Sequence, residues 1–222
     1  MIILIIIANV NVLATVIFYI KKVIKLESTY SGTAIGIKVN NGVVLASDKR
    51  YVYGNVIMST TVKKTFIISR RVAAAAAGIA ADIQELFREV AFLVRLREIR
   101  TGRPLSVRSV AKLTSALMYE SKLTPFYTQV LIGGVVKSPE LYSLDSLGSV
   151  VGDDYIVLGT GAEIAIGIIE SSYKSNMPID EVEKLVINAL KAASKRDVLS
   201  GSEIDMVIIT KDNIKEKSLK IT

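Results

Sequence analysis

The chain has 222 residues, 50% of them hydrophobic, with 28 Lys/Arg against 21 Asp/Glu for a net charge of +7 and neither His nor Cys. Ser-His-Asp and Cys-His triads, His-ligated zinc, thiol nucleophiles and a disulfide framework are thereby excluded, leaving a hydroxyl or carboxylate activated by an amine for any nucleophilic chemistry. The length suits one domain with a substantial core, and the cations are spread along helix faces without stacking aromatics, so no nucleic-acid role is expected.

In chain order, Met1 to Ile20 is almost wholly apolar, interrupted by Asn9, Asn11 and Thr15 and followed by Lys21, Lys22 and Lys25. About twenty such residues are long enough to span a bilayer. The flanks are wrong for a secretory signal, whose charges precede the apolar stretch, and if it inserted, the lysines would hold the body on the cytoplasmic side. Thr33–Val39 and Val43–Asp48 are β-branched runs around Asn40-Asn41-Gly42, a hairpin signal. Lys64–Ser69 and Val72–Ala77 read as two more strands around Arg70-Arg71; the alanine run is taken as strand because Gly78 ends it and a helix follows at once.

That helix begins near Ala81 or Asp82, with Ile83, Leu86, Phe87, Val90, Leu93 and Val94 at helical spacing, and stops at Thr101-Gly102-Arg103-Pro104. A second helix runs from Ser106 or Val107 to Lys122. Strands are expected at Tyr127–Val135, Leu141–Leu144, Ser149–Val151 and Tyr155–Leu158, then helices from Gly161 to about Ser175 and from Met177-Pro178-Ile179-Asp180 to Arg196. Glu203–Thr210 is the last expected strand, and the charged tail from Lys211 is expected to be loose. Strands and paired helices in segregated runs argue an α+β fold with helices in pairs.

Four short stretches stand out: Gly32-Thr33-Ala34-Ile35-Gly36, Ala46-Ser47-Asp48-Lys49-Arg50, Lys63-Lys64, and Lys195 to Gly201 with Asp197 and Ser200. A hydroxyl, an inward acid, a lysine and a distant Asp/Ser pair would assemble a nucleophile that needs no histidine. If cleavage made Thr33 the first residue, its own α-amine, titrating near about 8, would serve as its base. Lys64 beside it would favour loss of the hydroxyl proton, and Asp48, inside, would pair with Lys64 and hold it.

At these residues, and at the Ala77-Gly78 turn, Gln129 to Gly134, Leu158-Gly159-Thr160-Gly161 and Ile204-Asp205, the chain resembles the β-type subunits of the archaeal 20S proteasome from about Ser31 to Thr210. The resemblance implies a four-layer αββα sandwich of the N-terminal nucleophile hydrolase type, with residues 1–32 a leader removed by self-cleavage and 33–222 the mature domain. It implies catalytic roles for Thr33, Asp48, Lys64, Thr160, Asp197 and Ser200, the last two with Thr160 orienting the terminal amine. Gly78 would offer its N–H to the oxyanion, and Ala76 and Ala80 would leave a roomy apolar pocket for substrate. One departure stands at the centre of the pattern. In the family the nucleophile lies sixteen residues before the acid and thirty-two before the lysine; counting back from Asp48 and Lys64 lands on Gly32, and Thr33 is one position late.

Two functions follow from the resemblance. In the first, the chain is a threonine-type endopeptidase of the 20S core particle, hydrolysing unfolded polypeptide through an acyl ester on Thr33. In the second, it is a catalytically silent β-subunit completing a mixed ring beside an active one. Either way the implied setting is cytoplasmic, in stacked heptameric rings with α-subunits and other β-subunits, served by a separate ATP-dependent unfoldase. A bacterial-type ATP-dependent protease subunit of the same superfamily and a membrane-anchored receptor module are weaker alternatives. No cofactor or metal is expected: no Gly-Lys-Ser/Thr follows Gly133-Gly134 or Gly159-Thr160-Gly161, and no acidic cluster has metal-site spacing.

Overall fold

In a computed structural model, residues 31–221 are described. The expected leader therefore lies outside the described residues, apart from Ser31 and Gly32. The chain forms β1 (Thr33–Val39), β2 (Gly42–Asp48), β3 (Tyr51–Tyr53), β4 (Val56–Ser59), β5 (Thr65–Ser69), β6 (Val72–Gly78), α1 (Ala80–Thr101), α2 (Val107–Glu120), β7 (Thr128–Val135), β8 (Pro139–Leu144), β9 (Val151–Gly152), β10 (Tyr155–Gly159), α3 (Ala162–Ser172), α4 (Ile179–Arg196), β11 (Glu203–Thr210) and β12 (Ile214–Lys220).

Two five-stranded antiparallel sheets, ordered β10-β1-β2-β11-β12 and β5-β6-β7-β8-β9, account for all strands but the β3–β4 hairpin. Because strand side chains alternate, each sheet feeds two cores. Ile35, Ile37, Val44 and Ala46 pack on α3 and α4 with Val182, Val186 and Leu190, whereas Ala34, Val43 and Leu45 face the second sheet. In β6, Val72, Ala74 and Ala76 pack on α1 and α2 while Ala73, Ala75 and Ala77 face the first sheet. The layers are therefore helix pair, sheet, sheet, helix pair, the four-layer αββα sandwich.

Local chemistry sets the helix ends. Ser106 caps α2 by accepting the Ser109 N–H at 3.1 Å. Gly102, at φ +64°, closes α1 in the left-handed conformation. Asp180 and Glu181 in the first turn of α4 and Lys195 and Arg196 in its last complement the helix dipole. Asp82, in the first turn of α1, accepts the Tyr127 N–H at 2.7 Å and ties the start of the helix to the entry of β7. This fixes the turn that carries Gly78.

The structure corrects the elements read from the sequence in four places. The tail expected to be loose is β12, an edge strand antiparallel to β11 from Glu203↔Lys220 to Ile209↔Ile214. Between β2 and β5 an unexpected hairpin appears, β3–β4, turning at Gly54 with φ +59°. Ser149–Val151 contracts to Val151–Gly152, and Lys64 sits just before its strand rather than in it.

The two sheets approach closely because small residues line their interface. A Cβ on Gly133 would stand 2.8 Å from Val43 Cγ1 and 3.1 Å from Leu45 Cδ2. Both neighbours are buried in a close-packed layer. Gly133→Val should therefore lower the stability of the isolated chain by about 1–3 kcal/mol, read as a shifted midpoint in urea unfolding.

Candidate functional site

Asp48 ends β2, is fully buried, and is the hub of the site. Its Oδ1 accepts the Lys64 ammonium at 3.2 Å and the Thr33 N–H at 2.8 Å. Its Oδ2 accepts the N–H groups of Arg50 at 2.8 Å and Gly201 at 2.9 Å. A buried carboxylate is tolerated only when its lone pairs are met and its charge is balanced, and both conditions hold here. Lys64 is only 1% exposed, so its ammonium depends on this one carboxylate. The expected meeting of Asp48 and Lys64 is thus how the chain folds.

A second cluster lies beside the first. The Thr160 and Ser200 hydroxyls both donate to Asp197 Oδ2 at 2.6 Å. Leu199 N–H donates to Asp197 Oδ1 at 3.0 Å, which pins the loop after α4. The Ser200 and Thr33 hydroxyls are 2.6 Å apart. A carboxylate can only accept, so the single Ser200 proton goes to Asp197 and Thr33 donates to Ser200. Thr160 N–H also holds the Gly32 carbonyl at 2.9 Å.

The structure brings Thr33, Asp48, Lys64, Thr160, Asp197 and Ser200 together, but it separates two of them in role. Strand alternation puts Thr33 on the same face as Ile35 and Ile37, toward the α3–α4 pair, where its Oγ1 meets Ser200 and the backbone of Gly161. The face shared with Ala34, toward the second sheet and Lys64, belongs to residue 32. A Cβ built on Gly32 would stand 2.5 Å from Lys64 Nζ and would press on Asp48 Oδ1. Gly32 has φ +97°, a conformation that glycine accepts readily and other residues rarely adopt. The expectation that Thr33 Oγ1 faces the ammonium is therefore corrected: its hydroxyl is bonded to Ser200, and the position beside Lys64 carries no side chain.

Gly78 N–H, expected to face an oxyanion, donates to the Ser31 carbonyl at 3.2 Å. Its φ of +143° and the backbone of Tyr127 and Thr128 behind it leave no room for a Cβ. Ala76 is fully buried in the core under α1 and α2, so it fills the interior rather than opening a pocket; Ala80, half-buried, starts α1. Sequence reasoning missed three contributors. Arg50 and Gly201 supply N–H donors to Asp48, and Gly159 lets its strand approach the Gly32 carbonyl with no Cβ between. For Gly159 and Gly201 the signal was glycine spacing, since they flank Thr160 and Ser200; Arg50 offered none beyond lying two residues after Asp48.

If the ion pair organises this region, Asp48→Ala should cost about 3–5 kcal/mol by leaving a buried ammonium unpaired. Asp48→Ala/Lys64→Met should lose less than the sum of the two single changes in a denaturant-unfolding cycle. Additive losses would remove the coupling.

A family model described as "Proteasome subunit" matches residues 29–209. Over 184 residues the chain is 46% identical to "Proteasome subunit beta 1" of Nitrosopumilus maritimus, covering 83% of this chain and 93% of that protein. Over 196 residues it is 43% identical to "Proteasome subunit beta 2" of Pyrobaculum calidifontis, covering 88% of this chain and 97% of that protein. A similar relative from Pyrobaculum neutrophilum, also "Proteasome subunit beta 2", is 40% identical over 196 residues, 88% of this chain and 97% of its own length. With the sandwich, the buried Asp48–Lys64 pair and the Asp197–Ser200–Thr160 cluster in place, the chain belongs to the proteasome subunit family, among the β-type subunits of archaea.

Proposed function

We propose that this chain is a catalytically silent β-subunit, completing a mixed β-ring of the 20S core particle beside an active β-subunit. One observation carries the reading: the residue whose side chain would project onto Lys64 is Gly32, which has no hydroxyl. One further feature fits: Thr33 Oγ1 lies on the Ser200 side of the strand.

In this role the chain contributes ring geometry and chamber wall. The particle would hold α-subunits in stacked heptameric rings, receive unfolded polypeptide from an ATP-dependent unfoldase, and cleave it on the partner β-subunit. Cytoplasmic placement goes with that setting. Among the described residues no helix is long and apolar enough to cross a membrane.

A second reading keeps Thr33 as nucleophile. It is favoured by the position of Thr33 N, 2.8 Å from Asp48, and by the hydroxyl chain from Thr33 through Ser200 to Asp197. Cleavage of the Gly32–Thr33 bond would free an amine there; Thr33 Oγ, its proton taken by that amine, would attack the substrate carbonyl, the peptide C–N bond would break and its amine fragment leave with the proton, and water would hydrolyse the resulting ester to a carboxylate and the Thr33 hydroxyl. Removal of residues 1–32 belongs to this reading.

The readings differ in a covalent bond. In assembled particles, peptide mapping and intact mass should show the Ser31-Gly32-Thr33 backbone uncut. A threonine-directed β-lactone should leave this chain unlabelled, and Thr33→Ala should not change particle peptidase activity. A chain beginning at Thr33 with a lactone adduct that Thr33→Ala abolishes would overturn the silent reading.

The intact machinery around Gly32 yields a second test. Gly32→Thr, once the φ +97° backbone and the Lys64 and Asp48 side-chain tips shift to admit a Cβ, brings a hydroxyl beside Lys64, next to the Ser31–residue 32 bond whose carbonyl rests on Gly78 N–H. Partial self-cleavage at that bond, seen as a new chain beginning at residue 32 and suppressed by Lys64→Ala, is the expected outcome.

A further inference from the structure

The Gly32–Thr33 peptide is held at both of its polar atoms. Its carbonyl accepts the Thr160 N–H at 2.9 Å, and its N–H donates to Asp48 Oδ1 at 2.8 Å. A peptide plane pinned at both ends resists turning over, so the pair of bonds keeps residue 32 toward Lys64 and Thr33 toward Ser200. The Asp48 end of this grip stands on the buried ion pair. The Thr160 end stands on a residue outside both the Asp48 and the Asp197 clusters, Gln129.

Gln129 lies on β7. Its neighbours Val130 and Ile132 pack beneath α1 and α2, so alternation turns Gln129 and Leu131 toward the first sheet. Ala77, the residue directly opposite Gln129 on β6, faces the same way. The half-buried Gln129 side chain crosses from one sheet to the other, and its Oε1 accepts the Gly159 N–H at 3.0 Å. β10 is the edge of the first sheet, and the rung to β1 at this point is made by the next residue, Thr160, on the Gly32 carbonyl. Gly159 N–H therefore points off the sheet edge, and Gln129 is what meets it. The fit is close: a Cβ on Gly159 would stand 2.7 Å from Ala77 Cβ and would press on the Gly32 carbonyl.

We propose that Gln129 is a positioning residue of this site. By holding Gly159 it places the Thr160 N–H on the Gly32 carbonyl, and through that bond it fixes which residue, 32 or 33, faces Lys64. A side-chain amide suits the task because its oxygen accepts the N–H across the gap between the sheets without adding a charge to bury. The inference rests on the parity behind the proposed silent role and names what maintains it.

The test uses the isotope-labelled full-length chain and reads amide hydrogen exchange residue by residue by NMR. Gln129→Leu keeps the bulk and removes the acceptor; Gln129→Glu keeps an acceptor at the same reach. In Gln129→Leu the Gly159 and Thr160 amides should exchange about tenfold faster, and the Thr33 amide should move in the same direction. Val130, Leu131 and Ile132, in the ladders of β7, should keep their wild-type rates. Gln129→Glu should restore all three accelerated amides. If Gln129→Leu does not fold, Gln129→Asn, which withdraws the amide by one methylene, carries the test. Unchanged rates in a folded variant overturn the proposal, as does acceleration of every amide together, which marks a general loss of stability. Acceleration at Gly159 alone overturns it too, because Gln129 would then satisfy a donor and position nothing, and so does failure of Gln129→Glu to restore the rates. Exchange is read without turnover, so a result against Gln129 leaves the silent reading standing, whereas a lactone adduct on Thr33 removes that reading and leaves the exchange result in place.

Discussion

The Asp48 carboxylate is the interaction on which the surrounding structure depends. It is buried at the end of β2 and accepts from Lys64, from the Thr33 amide, and from Arg50 and Gly201. Those donors come from the start of β1, the stretch leading to β5, the turn after β2 and the loop after α4. One side chain therefore ties both sheets and the second helix pair to a single point. A charge in this position is stable only as part of the whole set, so losing any donor shifts a burden onto the others.

This gives the retained residues a reason to exist apart from catalysis. Asp197 binds both hydroxyls of Thr160 and Ser200, and Ser200 in turn accepts from Thr33. The cluster closes the loop from α4 onto the start of β1, next to where Gly201 meets Asp48. A subunit with no turnover would still need it to hold the end of the sandwich. Structural and chemical requirements overlap here, so the presence of the acid, the lysine and the Asp/Ser pair does not by itself distinguish an enzyme from a ring component.

The proposed silent role rests on parity. Successive residues of a strand face opposite sides, so a one-residue offset exchanges the two layers of the sandwich. Thr33 faces Ser200 and the α3–α4 layer; Gly32 faces Lys64 and the interior between the sheets. A bulge at the start of β1 would have reversed this, but β1 pairs β10 and β2 in regular register from Thr33↔Gly159 and Ala34↔Ser47 onward.

Much of the fold was legible in the sequence because its signals are local. The helical spacing of Ile83, Leu86, Phe87 and Val90, the Asn40-Asn41-Gly42 turn and the Thr101 to Pro104 stop each act within a few residues. The sixteen-residue spacing of Asp48 and Lys64 marked the ion pair correctly, and the one-position displacement of Thr33 was visible by counting. Tertiary structure decided the rest. The sequence Ile214 to Lys220 is too charged to look like a strand, but as an edge strand it needs only backbone pairing with β11. The β3–β4 hairpin has strands too short to show a period. Ala76 sits under the helices and not at a pocket, because its layer depends on the pairing of β6 with β7. Which side Thr33 faces, and that the Ser31 carbonyl rests on Gly78, are long-range facts: they follow from packing two sheets against each other, which no local pattern encodes.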